Sequence, residues 1–157
     1  MLVGTLAGCG GGGGEKTPQV SQRSLRGQGF EASVPRAWTV ARGERSITAR
    51  DGASLLSVST LPLQRVYKES LFASVTNELD GVVAQLAAKE NGKVSKRETV
   101  TLAGRRARAY TIDRGKQQER LGFVLSGRRE YELYCRYAPA SDAETACSSL
   151  FESFRLA

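Results

Sequence analysis

Apolar and polar residues alternate along several short stretches of the chain, which is the pattern of β-strands with one buried face. Residues 29–35, GFEASVP, alternate and then stop at a proline, as a first or edge strand would. A short strand is expected around Trp38–Val40. Asp51-Gly52, a dipeptide typical of hairpin turns, separates two further strands at 46–50 and 53–60. The later stretches predict four more strands, at 94–102, 105–113, 119–126 and 130–137.

Two other segments have the period of an amphipathic helix. Between residues 70 and 89, one stripe contains Leu71, Phe72, Val75, Leu79, Val82, Val83 and Leu86. Ser70 is expected to cap this helix, and Asn91-Gly92 to end it. A second helix is predicted at 142–154, with a capping box of Ser141 and Glu144. Its buried stripe would be Cys147, Leu150, Phe151 and Phe154.

The order of these elements is strands, helix, strands, helix. Hairpins interrupted by two helices predict an α+β fold, in which an antiparallel β-sheet is covered by helices. The length of 157 residues fits one compact domain and a tail. The domain is expected at residues 29–157.

The amino-acid composition excludes several classes of catalytic and ligand-binding site. The chain contains no histidine, which excludes a histidine-based triad and a histidine metal site. The net charge of +7 favours anionic partners of any kind. The alternative is a cationic surface that only keeps the protein soluble. Gly10–Gly14 lack the Lys-Ser/Thr of a phosphate-binding loop. Asp80, Asp113 and Glu119 have no sequence neighbours that suggest a carboxylate pair or metal cage, so no cofactor, metal or catalytic residue is predicted.

Cys9 ends the apolar stretch MLVGTLAGC, whose last four residues resemble the lipobox of bacterial lipoproteins. That resemblance implies lipidation of Cys9 and a location on the extracytoplasmic side of the cell membrane. Residues 1–8 would then be the remnant of a signal peptide, without its basic start. Residues 9–28 are glycine-rich and then polar, so they are expected to form a flexible tether. The alternative is an N-terminus in which the cysteine occurs by chance.

The other two cysteines lie on predicted apolar faces that follow each other in the chain. Cys135 is on a strand and Cys147 on the next helix, so both are expected to face the space between sheet and helix. Outside the cytoplasm such a pair is expected to form a disulfide, with two buried thiols as the alternative. A catalytic cysteine is disfavoured because no histidine is present to activate it.

The folded part also resembles the PsbP-like family, which includes a photosystem II extrinsic subunit and bacterial envelope lipoproteins. The resemblance rests on the central amphipathic helix and on three short patterns: Gly29-Phe30-x-Ala32-x-Val34-Pro35-x-x-Trp38, Val100-x-Leu102-x-Gly104-Arg105 and Leu150-x-x-Ser153-Phe154. It implies an antiparallel sheet between helices, an α/β/α sandwich. It implies no single function and no catalytic residues, because fold and function separate readily.

Two turns carry most of the candidate binding residues. Arg105, Arg106 and Arg108 follow one turn, and Arg128 and Arg129 lie at another. They are expected to form either a patch for an anionic surface or a charged edge that prevents aggregation. Trp38 is interpreted as a core residue rather than a ligand platform.

These observations favour a non-enzymatic, lipid-anchored envelope protein. It would act as a binding or assembly module for an envelope protein or an anionic surface component. The alternative is a small-ligand carrier with an apolar pocket between the sheet and the central helix. Nucleic acid is not an expected partner, because an exported protein rarely meets it.

Overall fold

The computed structural model describes residues 20–157. Cys9, the signal-peptide remnant predicted at 1–8 and most of the predicted tether lie outside these residues. Within them, no helix is both long and apolar enough to cross a bilayer.

Most strands form one large antiparallel sheet of seven strands. Strands that follow each other in the sequence pair as hairpins, except in the middle of the sheet, where residues 55–62 pair with the distant residues 129–136. The spatial order is β3-β4-β5-β9-β8-β7-β6, which places β9 in the middle. The bounds are β3 Thr39–Arg42, β4 Ser46–Asp51, β5 Ser54–Pro62, β6 Lys93–Leu102, β7 Arg105–Arg114, β8 Gln117–Ser126 and β9 Arg129–Tyr137.

A second, three-stranded sheet contains β1 Gln22–Gly27, β2 Phe30–Pro35 and β10 Arg155–Leu156. Its first strand corrects the predicted boundary, since residues 22–27 were assigned to the tether. The six residues QRSLRG include one buried apolar side chain, Leu25, so hydrophobic alternation could not reveal them. The strand forms because its backbone pairs along β2, from Gln22 opposite Pro35 to Gly27 opposite Phe30.

The two helices are α1, Phe72–Lys89, and α2, Asp142–Ser153. Their ends differ from the prediction in two details. Ser70 lies inside a short 3₁₀ turn, Glu69–Leu71, and therefore does not cap α1. Ser141 does precede α2, but its hydroxyl donates to the carbonyl of Ala138, while Glu144 accepts the backbone N–H of Ala140 at 2.6 Å. The acidic group thus satisfies an amide one residue earlier than a capping box would.

Each face of the large sheet has its own core. On one face, α2 and the small sheet enclose the larger core, which includes Phe30, Leu56, Leu133, Leu150 and Phe154. On the other face, α1 packs against a smaller cluster of β7 and β8 residues: Tyr110, Ile112, Leu121 and Phe123, with Val83 and Ala87 from the helix. The α+β prediction is confirmed, with the addition that Phe30–Pro35 belongs to a separate small sheet.

Cys135 and Cys147 form a disulfide between β9 and α2, with their Cα atoms 5.8 Å apart. Both side chains are fully buried in the larger core. The bridge that their sequence pattern predicted is therefore confirmed.

Candidate functional site

The two arginine-bearing turns lie side by side at one end of the large sheet. Strands β7 and β8 pair with Arg108 opposite Phe123, and continuing that register brings the turn at Gly104 level with the turn at Gly127. The start of β4 reaches the same end, where the amide of Thr60 donates to the carbonyl of Arg45 at 2.8 Å. This end therefore brings together arginines from three separate parts of the sequence.

A cleft of about 570 Å³ opens at this end, on the face of the sheet that carries the small sheet. Three arginines line it: Arg45, Arg128 and Arg129. The other lining residues are Gln28, Glu44, Thr60, Pro62, Ser126 and Tyr131. The cleft can therefore offer guanidinium, hydroxyl and amide donors to one anionic group, with a single carboxylate, Glu44, in its wall.

The three arginines of the cleft remain available to a ligand. Within residues 20–157 none of them forms an ion pair with a carboxylate. Arg128 Nη2 donates to the carbonyl of Gln64 at 2.9 Å, which orients its guanidinium without neutralising it. All three residues are exposed, so a ligand can reach their guanidinium groups from solvent.

The floor of the cleft is rigid because it belongs to the larger core. Tyr131 and Thr60 are almost fully buried, and the Tyr131 ring makes edge contacts with Phe30 and Phe154. The β1–β2 turn closes one side. Gly29 in that turn has a φ of +78°, and a Cβ there would collide with Arg129 Nη1 and Tyr131 Oη. The small residue lets the turn approach the arginine closely.

The five predicted arginines divide between the two faces of the sheet. Arg128 and Arg129 line the cleft, and exposed Arg105 lies on the same face, two residues before buried Ala107. Arg106 and Arg108 lie on the opposite face. Arg106 Nη2 is 3.0 Å from Glu69 Oε2, and its guanidinium lies 4.4 Å from the centre of the Phe72 ring. Three of the five predicted arginines therefore do not line the cleft, and its third arginine is Arg45, which the sequence analysis did not single out.

Arg108 is a structural residue. Its Nε and Nη2 donate to the two carboxylate oxygens of Asp80 at 2.9 and 2.7 Å, and Tyr110 donates to the same carboxylate at 2.6 Å. The hydrogen bond from Arg108 is the main reason that the pKa of Asp80 lies below its usual value. This network fixes α1 to β7.

The remaining candidate carboxylates also have structural partners. Asp113 accepts from Gln118 at 2.8 Å, and Glu119 accepts from Tyr134 at 2.8 Å while Arg114 Nε lies 2.8 Å away. Within the described part of the chain, no group of three or more Cys, Asp or Glu side chains is arranged to hold a metal ion.

The space between the sheet and α1, where a carrier would have its pocket, is filled by the smaller cluster and by the Asp80 network. Trp38 is 8% exposed and belongs to the larger core, in agreement with its interpretation. It also lines a separate cleft of about 200 Å³ beside Val20, where the described chain begins.

Comparisons with known proteins show the fold of this chain but do not assign it to a family. No protein-family model and no curated protein matches the sequence. Among solved structures, the solution structure of cyanobacterial PsbP (CyanoP) from Synechocystis sp. PCC 6803 matches with a TM-score of 0.65 and 14% identity, over 98% of this chain and 100% of that one. A crystal structure from Bacteroides thetaiotaomicron VPI-5482 matches with a TM-score of 0.51 and 12% identity, over 82% of this chain and 45% of that one. The chain therefore has a PsbP-like α+β fold, and at these identities the likeness extends no further than the fold.

Proposed function

We propose that this protein is a lipid-anchored, non-enzymatic module on the extracytoplasmic side of the cell membrane, which binds an anionic envelope component through the cleft of Arg45, Arg128 and Arg129. The observation that carries the proposal is the convergence of these three arginines, none of them ion-paired within residues 20–157, on one open cleft. The ligand chemistry is a phosphate or carboxylate group, because a guanidinium binds both in a two-point geometry.

Three further features support this proposal. The disulfide is typical of a protein outside the cytoplasm. The PsbP-like fold occurs here with a lipobox-like sequence that ends at Cys9. The candidate carboxylates are occupied by structural partners, which leaves no general acid–base pair for an enzyme mechanism among them.

Binding of a soluble polyanion tests the cleft. Inorganic polyphosphate is titrated into the protein, and the double variant Arg45→Ala/Arg129→Ala is compared with the parent. Charge-assisted hydrogen bonds contribute about 1.5–3 kcal/mol each, so the loss of one from each arginine is expected to weaken binding at least about 100-fold. Vesicles containing phosphatidylglycerol, tested in parallel, distinguish a lipid headgroup from a polymeric anion.

The control is Arg36→Ala/Arg50→Ala, which removes the same charge at the other end of the fold. Arg36 contacts Ser21, and Arg50 lies beside the Asp51-Gly52 turn. This variant is expected to weaken binding less than about threefold, through net charge alone. Equal losses in the two variants would mean that the cleft has no special role.

The lipid anchor needs its own measurement. Intact mass of the protein isolated from membranes should begin at Cys9 and include acyl chains. It should increase by the mass of two hydrogens on reduction of the bridge. A mass that begins at Met1 and contains three free thiols would contradict both the anchor and the extracytoplasmic location.

A further inference from the structure

A second cleft adjoins the arginine cleft. It has a volume of about 240 Å³ and lies between the β1–β2 turn and the hairpin of β3 and β4. Gln28, Glu44 and Arg45 line both clefts, so the two clefts meet at these residues. The second cleft adds a further arginine, Arg42, whose Nη1 donates to the carbonyl of Arg26 at 2.8 Å. The cationic surface therefore extends beyond the first cleft.

Arginines of this surface recur on every second strand of the large sheet. Arg45 directly precedes β4, Arg129 begins β9 and Arg105 begins β7. The order of the strands there is β4-β5-β9-β8-β7, so one strand separates each arginine from the next. Because strands lie about 4.8 Å apart, this arginine row of Arg45, Arg129 and Arg105 has a spacing of about 10 Å and a length of about 19 Å.

The three arginines lie near one level and on one face of the sheet. Arg129 pairs with Ser126, and the register of β7 and β8, when continued, places Arg105 opposite Ser126 as well. Arg45 is opposite Thr60, whose partner on β9 is two residues from Arg129. Each arginine is two positions before a residue that is buried in the larger core. The row therefore crosses the strand ends on the face that carries the small sheet.

The charge along the row is predominantly positive. Glu44 is the one carboxylate among the described residues that line the two clefts. On neighbouring segments, Glu31 is paired with Arg26. Glu69 is paired with Arg106. Within residues 20–157, five arginines in or beside the row form no ion pair: Arg42, Arg45, Arg105, Arg128 and Arg129.

The surroundings of the row favour a phosphate chain over an acidic protein. The residues between its arginines are Thr60, Pro62 and Ser126, and none of them offers a large apolar side chain. Protein interfaces usually have an apolar centre, which this surface lacks. The row also crosses the strands at their ends, where a peptide cannot add as a further strand. Guanidinium groups bind phosphate oxygens directly, with two hydrogen bonds to one group.

We propose that the arginine row binds one linear chain of phosphate groups, which lies across the strand ends and contacts Arg45, Arg129 and Arg105 in turn. Arg42 extends the row beyond Arg45, and Arg128 adds charge beside Arg129. This inference rests on the proposed anion site and narrows its ligand to a polymer, because a single headgroup cannot reach arginines that lie about 10 Å apart. In a polymer, each contact raises the effective concentration of the next phosphate.

The test uses the full chain of the protein and phosphate chains of two lengths. Tripolyphosphate is expected to occupy the first cleft alone, so Arg42→Ala/Arg105→Ala should bind it within about twofold of the parent. Long-chain polyphosphate is expected to reach both residues. Each lost phosphate contact lowers the slope of log Kd against log salt by about 0.7, so this variant should lose about 1.4 in slope and about 25-fold in affinity at about 0.1 M salt.

Two comparisons complete the design. Arg45→Ala/Arg129→Ala should weaken binding of both phosphate chains, because these residues line the first cleft. Arg36→Ala/Arg50→Ala removes the same charge away from the row, and should leave the salt slope unchanged and the affinity for long-chain polyphosphate within about threefold. Poly(glycerol phosphate), tested in parallel, distinguishes a phosphodiester polymer from free polyphosphate. Binding of either polymer with the predicted loss in Arg42→Ala/Arg105→Ala supports the row.

Several results would overturn the proposal. An unchanged salt slope in Arg42→Ala/Arg105→Ala, or the same loss for tripolyphosphate and the long chain, would exclude the row without contradicting the anion cleft. Polyglutamate of matched charge that binds as tightly as the long chain would contradict the phosphate class. Phosphatidylglycerol vesicles that bind more tightly than both polymers would assign the arginines to a membrane surface. A parent that binds neither phosphate chain would contradict the proposed function itself.

Discussion

The Cys135–Cys147 bridge should contribute a large share of the stability of this domain. The two residues are 12 positions apart, and opening the bridge frees the unfolded chain between them. In the chain-entropy model a loop of this size stabilises the native state by about 3 kcal/mol. The entropy of unfolding is about 2.1 cal/mol/K per residue, so for roughly 140 folded residues the same free energy corresponds to a loss of about 10 °C in Tm.

Thermal unfolding of oxidised and reduced protein, followed by circular dichroism, measures this contribution. A Cys9→Ser background ensures that only the bridge responds to the reductant. Cys135→Ala/Cys147→Ala should lose at least as much stability as reduction, because it also removes two buried sulfur atoms from the larger core.

An unchanged Tm after complete reduction would refute this reasoning. It would mean that the unfolded chain is already confined between β9 and α2, or that the bridge does not form. A loss near 10 °C would instead mean that the native fold depends on an oxidising compartment, in agreement with the proposed location.

Three other predictions concern the charged residues and one glycine. Glu130→Gln/Glu132→Gln should raise Tm at pH 7, by an amount equivalent to about 1 kcal/mol. Because burial raises the folded-state pKa values of Glu130 and Glu132, the parent loses this stability as pH rises through them, and the gain should vanish in melts well below pH 4.5, the ordinary glutamate value. Asp80→Asn should lower the free energy of unfolding by about 2 kcal/mol, because the charge-assisted bonds from Arg108 are lost. Since the pKa of Asp80 is lowered in the folded state, the stability that its carboxylate contributes should be lost in acid, and denaturant titrations at several pH values measure this. Gly29→Ala should lower the free energy of unfolding by about 1–2 kcal/mol, because the φ of Gly29 is +78°. It should also weaken polyphosphate binding, because the added Cβ would displace Arg129. Unchanged stability and binding would argue against a constrained turn.

The order of elements could be predicted because local patterns determine it. Alternation, glycine turns and helical spacing each depend on neighbouring residues, and they placed both helices and most strands of the large sheet correctly. The disulfide could be anticipated for the same reason, since Cys135 and Cys147 each lie on a recognisable apolar face.

Features set by distant pairing could not be predicted in this way. Strand β1 has only Leu25 as a buried apolar residue and depends on pairing with β2. Arg45 joins Arg128 and Arg129 only because β4, β5 and β9 are neighbours in the sheet, and the sequence carries no local signal for that. The ion-pair partners of Arg106 and Arg108 could not be predicted for the same reason, because Glu69 and Asp80 come from another part of the chain.

The chain enters the fold at the end of the large sheet opposite to the arginine cleft. Val20 lies beside Asp51 and Trp38, whereas the turn after β1 borders Arg129. If Cys9 carries lipid, the 11 residue steps from Cys9 to Val20 span at most about 40 Å, and β1 adds about 20 Å more. The cleft could then bind a partner that lies up to tens of ångströms from the bilayer. Deleting residues from the glycine run would shorten the distance from the bilayer that the cleft can reach. The tether length at which binding is lost would then measure how far from the bilayer the anionic partner lies.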